Sequence, residues 1–272
     1  MKLMPDFPAY ATPLDKAGWW ALRLFCVAVL VYLLAPILVI MPLSFSESSF
    51  LVYPIHGWSL KWYENLFSSE EWARAAKNSF IVAPAATLIA TVLGTTAAVG
   101  LARTSFPFKG LLMSLLIAPM VVPIVVVGVS TYLFFAPLGL ADSYLGLIVV
   151  HAALGAPFVL TTVLATLQGF DHNLVRASLG LGETPMRTFF RITLPVIAPG
   201  VVSGALFAFA TSFDEVVVAL FLAGPEQLTL PRQMFNGIRE NISPTIAAVA
   251  TLLILFTTSL LGVLEWIRGR RA

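Results

Sequence analysis

Six apolar stretches, each long enough to cross a bilayer as a helix, take up most of this 272-residue chain and leave little room for any other architecture. They run at roughly 19–42, 78–102, 110–137, 144–168, 196–223 and 245–267. A helix needs about 20 predominantly apolar residues to span the hydrocarbon core, and each stretch meets that length. The expected fold class is therefore an all-α membrane protein with about six transmembrane helices. Composition points the same way: 58% of residues are hydrophobic, 11% are charged and the mean hydropathy is +0.90. Soluble domains carry about a quarter of their residues as charged ones. Pro36, Pro84, Pro119, Pro123 and Pro157 lie inside these stretches without vetoing them, because neighbouring helices satisfy backbone groups that proline frees. Pro119 and Pro123 predict a kink in the third span.

Several function classes are excluded by what is missing. A net charge of +2, with basic residues in short clusters beside apolar runs, gives no footprint for nucleic acid. The single cysteine, Cys26, cannot form an intrachain disulfide and reads as a packing residue of the first span. His56, His151 and His172 are far apart and match no metal-ligand or protease spacing. His151, within the fourth span, reads as an interior hydrogen-bonded histidine. No phosphate-binding G-x-x-x-x-G-K-[ST] motif occurs, so the chain carries no ATPase of its own, and no catalytic constellation can be assembled. The run after MKLMPDFPAYATPLDKAGWW is too long for a signal-peptide core and is expected to remain as the first span.

Lysine and arginine set the orientation. With a cytoplasmic N-terminus, eleven of them, Lys2, Lys16, Arg23, Arg103, Lys109, Arg176, Arg187, Arg191, Arg268, Arg270 and Arg271, lie inside. Five, Lys61, Arg74, Lys77, Arg232 and Arg239, lie outside. Both termini then face the cytoplasm. Trp19, Trp20, Trp58, Trp62, Trp72 and Trp266 fall at span ends or in the first outer loop, as an interfacial belt requires. Within that loop Trp58, Trp62 and Leu66 recur every four residues, which predicts a short interfacial helix over GWSLKWYENLF.

The fifth span carries two further signals. Gly200, Gly204, Ala208 and Ser212 form a stripe of small residues that lets another helix approach closely. Asp214 and Glu215 are the acidic pair well inside an apolar run, just past its middle. Glu215 follows Gly204 by about three turns and so lies near the same face. A carboxylate there costs about 2.5–3.5 kcal/mol to insert. It should therefore have a partner, as an interhelical ion pair or hydrogen bond, or line a wet path for a cation.

Between the fourth and fifth spans lies the longest polar interruption of the second half, Asn173–Pro195, NLVRASLGLGETPMRTFFRITLP. Asp171 and Asn173 are N-cap types, Gly182 can end the helix that follows, and Thr184-Pro185 starts another. Two short helices joined at Glu183 are expected. The spacing of Ala177-Ser178, Gly182 and Leu194-Pro195 resembles the EAA loop of ABC importer permeases, the cytoplasmic loop that docks into the ATPase subunit. Here Arg176 stands for the usual glutamate and Ser178 for the second alanine. SFDEVVVALFLAGP, TLPRQMF and IRENISPTIAAVATLL resemble the permeases of polyamine and related cation or opine importers. The resemblance covers roughly residues 75–268.

That resemblance implies a type I importer permease fold (MetI-like), with a cytoplasmic helix-turn-helix coupling loop and a transport domain over 75–268. Residues 1–74 would form an N-terminal tail, first span and outer interfacial helix, and 269–272 a cytoplasmic tail. It implies a multi-pass protein of the bacterial inner membrane that is a transport subunit and not an enzyme. The partners implied are a second permease, two ATP-binding subunits that hold ATP and magnesium, and a periplasmic solute-binding protein. The chain itself would carry no cofactor or metal. Arg176, Ala177, Ser178, Gly182, Arg187, Arg191, Leu194 and Pro195 would form the coupling loop, and Asp214 and Glu215 the substrate path. The solute implied is putrescine or spermidine, with an opine or amino-acid-like molecule as the alternative. A proton-driven secondary carrier would also explain the hydropathy and the carboxylates, but the loop motif argues against it.

Overall fold

The computed structural model describes residues 12–103, 106–240 and 242–269. Its elements are α1 (Pro13–Leu43), α2 (Lys61–Ser68), α3 (Glu70–Arg103), α4 (Lys109–Val121), α5 (Ile124–Phe135), α6 (Tyr144–Leu167), α7 (Asn173–Gly180), α8 (Pro185–Thr188), α9 (Leu194–Phe213), α10 (Val217–Leu222), α11 (Leu230–Glu240) and α12 (Pro244–Gly269). Among the described residues, five helices are long and apolar enough to cross a membrane, and the bent pair α4–α5 makes a sixth. Lys2, Arg270 and Arg271 lie outside the described residues.

The described residues divide into two compact units, one within the bounds Met1–Asn65 and Ile242–Leu261, the other within Leu66–Asn241 and Gly262–Ala272. In the first, α1 begins with a reciprocal cap: Thr12 Oγ1 accepts the Asp15 N–H at 3.2 Å and Asp15 Oδ2 accepts the Thr12 N–H at 2.9 Å. Most of α1, Cys26 included, is exposed along its length, as befits a helix facing acyl chains. The predicted interfacial helix forms only from Lys61 onward. Trp58 stands before it in extended chain, bridged to Ser46, because Trp62 Nε1 donates to the Ser46 carbonyl at 2.7 Å and draws that strand-like segment alongside.

The second unit is built on α3, α6 and α9, whose facing sides are made of small residues. Ala83, Ala86, Ala90 and Ala98 of α3, Val159 and Val163 of α6 and Ala208 of α9 are essentially inaccessible. A Cβ added at Gly94 would come 2.6 Å from Val159 Cβ, and one added at Gly155 would come 2.9 Å from Ala208 Cβ. Dispersion and close backbone approach thus hold these helices, as expected where lipid offers no hydrophobic drive for helix association.

Two predicted spans are broken where the sequence reading made them a kinked and a straight helix. α4 and α5 meet at 101°. Val122 precedes Pro123 and is forced out of the helical region, to ψ 132°, so the third span turns a corner where a kink was expected. The fifth span, expected over 196–223, stops at Phe213; Asp214–Val216 form a turn and α10 follows. Beyond it, the expected turn at Gly224-Pro225 leads into α11, a helix the sequence reading did not foresee. Ser143 Oγ caps α6 by accepting the Gly146 N–H at 3.0 Å.

Candidate coupling loop and acidic turn

The loop between α6 and α9 is a helix pair locked by short-range polar contacts. Asp171 Oδ1 accepts the Asn173 N–H at 2.9 Å, and Asn173 Oδ1 accepts from Arg176 at 2.6 Å, which starts α7. α7 ends in a Schellman arrangement: the Gly182 N–H reaches the Leu179 carbonyl at 3.0 Å and the Glu183 N–H reaches that of Ser178 at 3.2 Å. Gly182 takes φ +89°, the left-handed region that the arrangement demands. Thr184 then caps α8 through the Arg187 N–H at 3.4 Å, with Pro185 in the first position. Buried Ser178 and Thr188 share a hydrogen bond of 3.0 Å that ties α7 to α8. Glu183 holds Arg191 at 2.7 Å and Arg187 at 4.0 Å.

α8 does not end at a loop. A π-helical turn, Phe189–Thr193, carries it directly into α9, so the chain is helical from Pro185 to Phe213. Pro195 explains the wider turn, since it has no N–H for the carbonyl of Arg191 four residues back. Thr193, buried in that turn, accepts from Arg103 at the end of α3 at 3.4 Å. The outer surface of the pair is apolar and basic: Leu181, Met186 and Phe190 are exposed by 88%, 67% and 57%, beside exposed Arg176, Arg187 and Arg191. Ala177, Gly182 and Pro195 are also exposed, and Leu194 is half-buried.

At the other end of the same helix lies the acidic turn. Gly200 and Gly204 press against α6, where added Cβ atoms would come 2.1 Å from Thr166 Oγ1 and 2.4 Å from Thr162 Oγ1. Ser212, the last member of the stripe, sits 2.8 Å from His151 Nδ1. The two carboxylates, which the sequence reading treats as a pair inside one helix, separate into different environments because the helix stops before them. Asp214 is exposed, whereas Glu215 is buried and caps α10 by accepting the N–H groups of Val218 at 2.7 Å and Ala219 at 3.0 Å. His151 Nε2 approaches Glu215 Oε2 at 3.6 Å. Glu215 and Thr211 also line an open cavity of about 390 Å³, walled by the Pro119–Ile124 corner, Leu154 and Phe158.

Three polar anchors around this turn escaped the sequence reading. Arg232 of α11 caps the far end of α10, donating to the Ala219 carbonyl at 2.7 Å and to that of Ala223. Burial pulls the Arg232 guanidinium below its ordinary value, and the Asp142 carboxylate opposes that shift. Asn78, fully buried in α3, donates to the carbonyls of Glu226 and Leu228 at 2.8 Å each and accepts from Tyr144 at 2.7 Å. Arg74 pairs with both Glu226 oxygens at 3.0 and 2.9 Å. For Asn78 the sequence signal was present: it is a polar residue in an apolar run, where an unsatisfied group is costly.

Comparison with known proteins places this arrangement. Residues 90–272 match the family model described as binding-protein-dependent transport system inner membrane component. The chain is 36% identical to the putrescine transport system permease protein PotI of Escherichia coli, over 89% of this chain and 88% of that one. It is 31% identical to the spermidine/putrescine transport system permease protein PotC of Haemophilus influenzae, over 87% of this chain and 91% of that one. Its fold is shared with the crystal structure of a bacterial ABC transporter involved in the import of the acidic polysaccharide alginate, with a TM-score of 0.77 and 12% identity over 95% of this chain and 99% of that one. The apolar helices and the family model together make this a multi-pass membrane protein, and the chain belongs to the family of binding-protein-dependent transport system inner membrane components.

Proposed function

We propose that this chain is a transmembrane permease subunit of an ATP-driven importer, and that it translocates a polyamine, putrescine or spermidine, across the bacterial inner membrane. The observation that carries this reading is the helix unbroken from Pro185 to Phe213, which joins an exposed apolar and basic loop to a turn bearing an exposed carboxylate. A rigid helix transmits a displacement at one end to the other without a flexible joint.

ATP is hydrolysed by two separate ATP-binding subunits, which hold the nucleotide and its magnesium. They meet Leu181, Met186 and Phe190 through apolar contact and Arg176, Arg187 and Arg191 through charge. The loop and both termini face the cytoplasm, while α2 and α11 face the periplasm, where a solute-binding protein delivers the cation. A second, related permease completes the pathway. Asp214 meets the ammonium groups, and the cavity beside Glu215, with the Phe158 ring in its wall, suits a cation with an apolar stem. The transport domain is assigned to residues 75–268, preceded by the first span and followed by a short tail. The names of the two permease relatives support the substrate class, and the described residues hold no cluster of metal-ligating side chains.

The test is reconstitution of the chain with its ATPases, second permease and binding protein in proteoliposomes, with putrescine and spermidine uptake measured beside an Arg187→Ala/Arg191→Ala variant. Uptake should require ATP and the whole assembly, and the variant should recruit ATPase poorly. Uptake by the isolated chain without ATP would overturn the importer reading. Full assembly with ATP turnover but no polyamine uptake would overturn the substrate.

A further inference from the structure

His151 lies in the first third of α6, fully buried, and links two groups far along the chain. Its Nδ1 is 2.8 Å from Ser212 Oγ in the last turn of α9, 61 residues away. Its Nε2 faces Glu215 Oε2 at 3.6 Å and makes no hydrogen bond among the described residues, so a buried polar atom stands one small side-chain shift outside bonding distance of a buried carboxylate. Both Glu215 oxygens are already engaged at the start of α10.

Hydrogen-bonding roles leave one self-consistent arrangement for neutral His151 beside ionised Glu215. A carboxylate only accepts, whereas a serine hydroxyl both donates and accepts. With the ring proton on Nδ1, the lone pair of Nε2 would face the lone pairs of Oε2. With the proton on Nε2, the Ser212 hydroxyl donates to Nδ1 and Nε2–H is aimed at Oε2. The partner of one ring nitrogen thereby selects the tautomer presented by the other.

We propose that His151 is a positioning residue for transport: the Ser212 hydroxyl holds it as the Nε2–H tautomer, and Nε2–H pins the Glu215 carboxylate across the start of α10. The turn at Asp214–Val216 then keeps its shape, with Asp214 directed away from the buried cluster and available to the cation. The chain of contacts joins α6 and the small-residue face of α9 to α10, so a displacement of α9 relative to α6 is felt at the Glu215 carboxylate through one imidazole. This inference rests on the importer reading above.

Two amide substitutions separate the two ring nitrogens. The amide oxygen of asparagine stands as many bonds from Cβ as Nδ1 does and can accept the Ser212 hydroxyl, and the amide nitrogen of glutamine stands as many as Nε2 and can donate to Glu215. His151→Gln therefore keeps a donor toward Glu215 and loses Ser212, while His151→Asn does the reverse. In the complete complex in proteoliposomes, two quantities are read: labelled putrescine uptake, and ATP hydrolysis stimulated by the binding protein, which is followed whichever solute is carried. His151→Gln should keep the larger part of both activities, and His151→Asn should lose about tenfold, the equivalent of one charge-assisted hydrogen bond. Glu215→Gln combined with His151→Asn should be no worse than Glu215→Gln alone. Equal losses in the two histidine variants, or an asparagine variant that outperforms glutamine, would overturn the proposal. If the asparagine variant does not assemble, Ser212→Ala replaces it and must be milder than Glu215→Gln; the reverse order also overturns it. Absence of ATP-dependent uptake by the unsubstituted complex would instead strike the substrate reading, with the histidine comparison still decided by ATP hydrolysis.

Discussion

Replacing Gly204 with alanine tests whether the packing of α9 on α6 limits stability. The new Cβ would lie 2.4 Å from Thr162 Oγ1 and 2.6 Å from Val159 Cα. The hydroxyl can rotate away at the cost of its own bond, but Val159 Cα is backbone within α6 and moves only if the helices separate. Overpacking of this kind costs about 1–3 kcal/mol, and the better helix propensity of alanine returns about 1 kcal/mol. The net loss is therefore about 0–2 kcal/mol, or a fall in Tm of about 2–4 °C per kcal/mol for a chain of this size. Gly200→Ala should be milder, because its nearest obstacles are the Thr166 hydroxyl at 2.1 Å and the Thr166 Cβ at 2.9 Å, both side-chain atoms. Gly100→Ala in α3, where a Cβ would meet nothing within 4 Å, is the control and should not lower stability. Thermal unfolding of the purified chain in detergent gives the order. A Gly204→Ala protein as stable as Gly100→Ala would mean that the close α6–α9 approach does not set stability.

Other expectations follow from single contacts. Gly182→Ala forces a Cβ into φ +89° and should weaken the loop by about 1–2 kcal/mol, seen as faster amide exchange over α7 with Tm nearly unchanged. Unchanged exchange there would remove the left-handed glycine from the account of the loop. Asn78→Ala removes the donor to the Leu228 carbonyl, while the Tyr144 hydroxyl still reaches the Glu226 carbonyl at 3.3 Å. At about 1–3 kcal/mol for one unsatisfied group, Tm should drop by a few degrees and proteolysis should begin near 224–230. Asp214→Asn should leave stability unchanged and lower uptake, because Asp214 is exposed, whereas Glu215→Gln should lower both. Polyamine uptake untouched by either substitution would end the pathway role of these carboxylates.

Much of the loop between α6 and α9 could be read from sequence, because its geometry is written in local punctuation, although Asn173, expected as a cap, is the first residue of α7 and accepts from Arg176 instead. Asp171, Gly182 and Thr184-Pro185 each act on backbone groups within four residues of themselves, and the structure finds them so engaged. The stripe Gly200–Ser212 was equally visible, yet only the fold shows that α6 of the same chain lies against it. Trp58 misled for a different reason: a fourfold spacing cannot reveal that Ser46, distant in sequence, bridges Trp58 in extended chain, so that the helix starts only at Lys61.

What the sequence by itself determined is the environment and the number of crossings, since a run of apolar residues is incompatible with water whatever packs against it. It also determined the loop, through caps and turns that act locally. Only the tertiary structure decided where helices break and which carboxylate is free. The stretch 196–223 is apolar almost throughout, so its length predicts one span. A helix ends, however, when other groups take over its terminal donors and acceptors, and here these are the Glu215 carboxylate at one end of α10 and the Arg232 guanidinium at the other. Arg232 arrives from a later helix and His151 from an earlier one, so the division of labour between adjacent Asp214 and Glu215 exists only once the chain has folded around them.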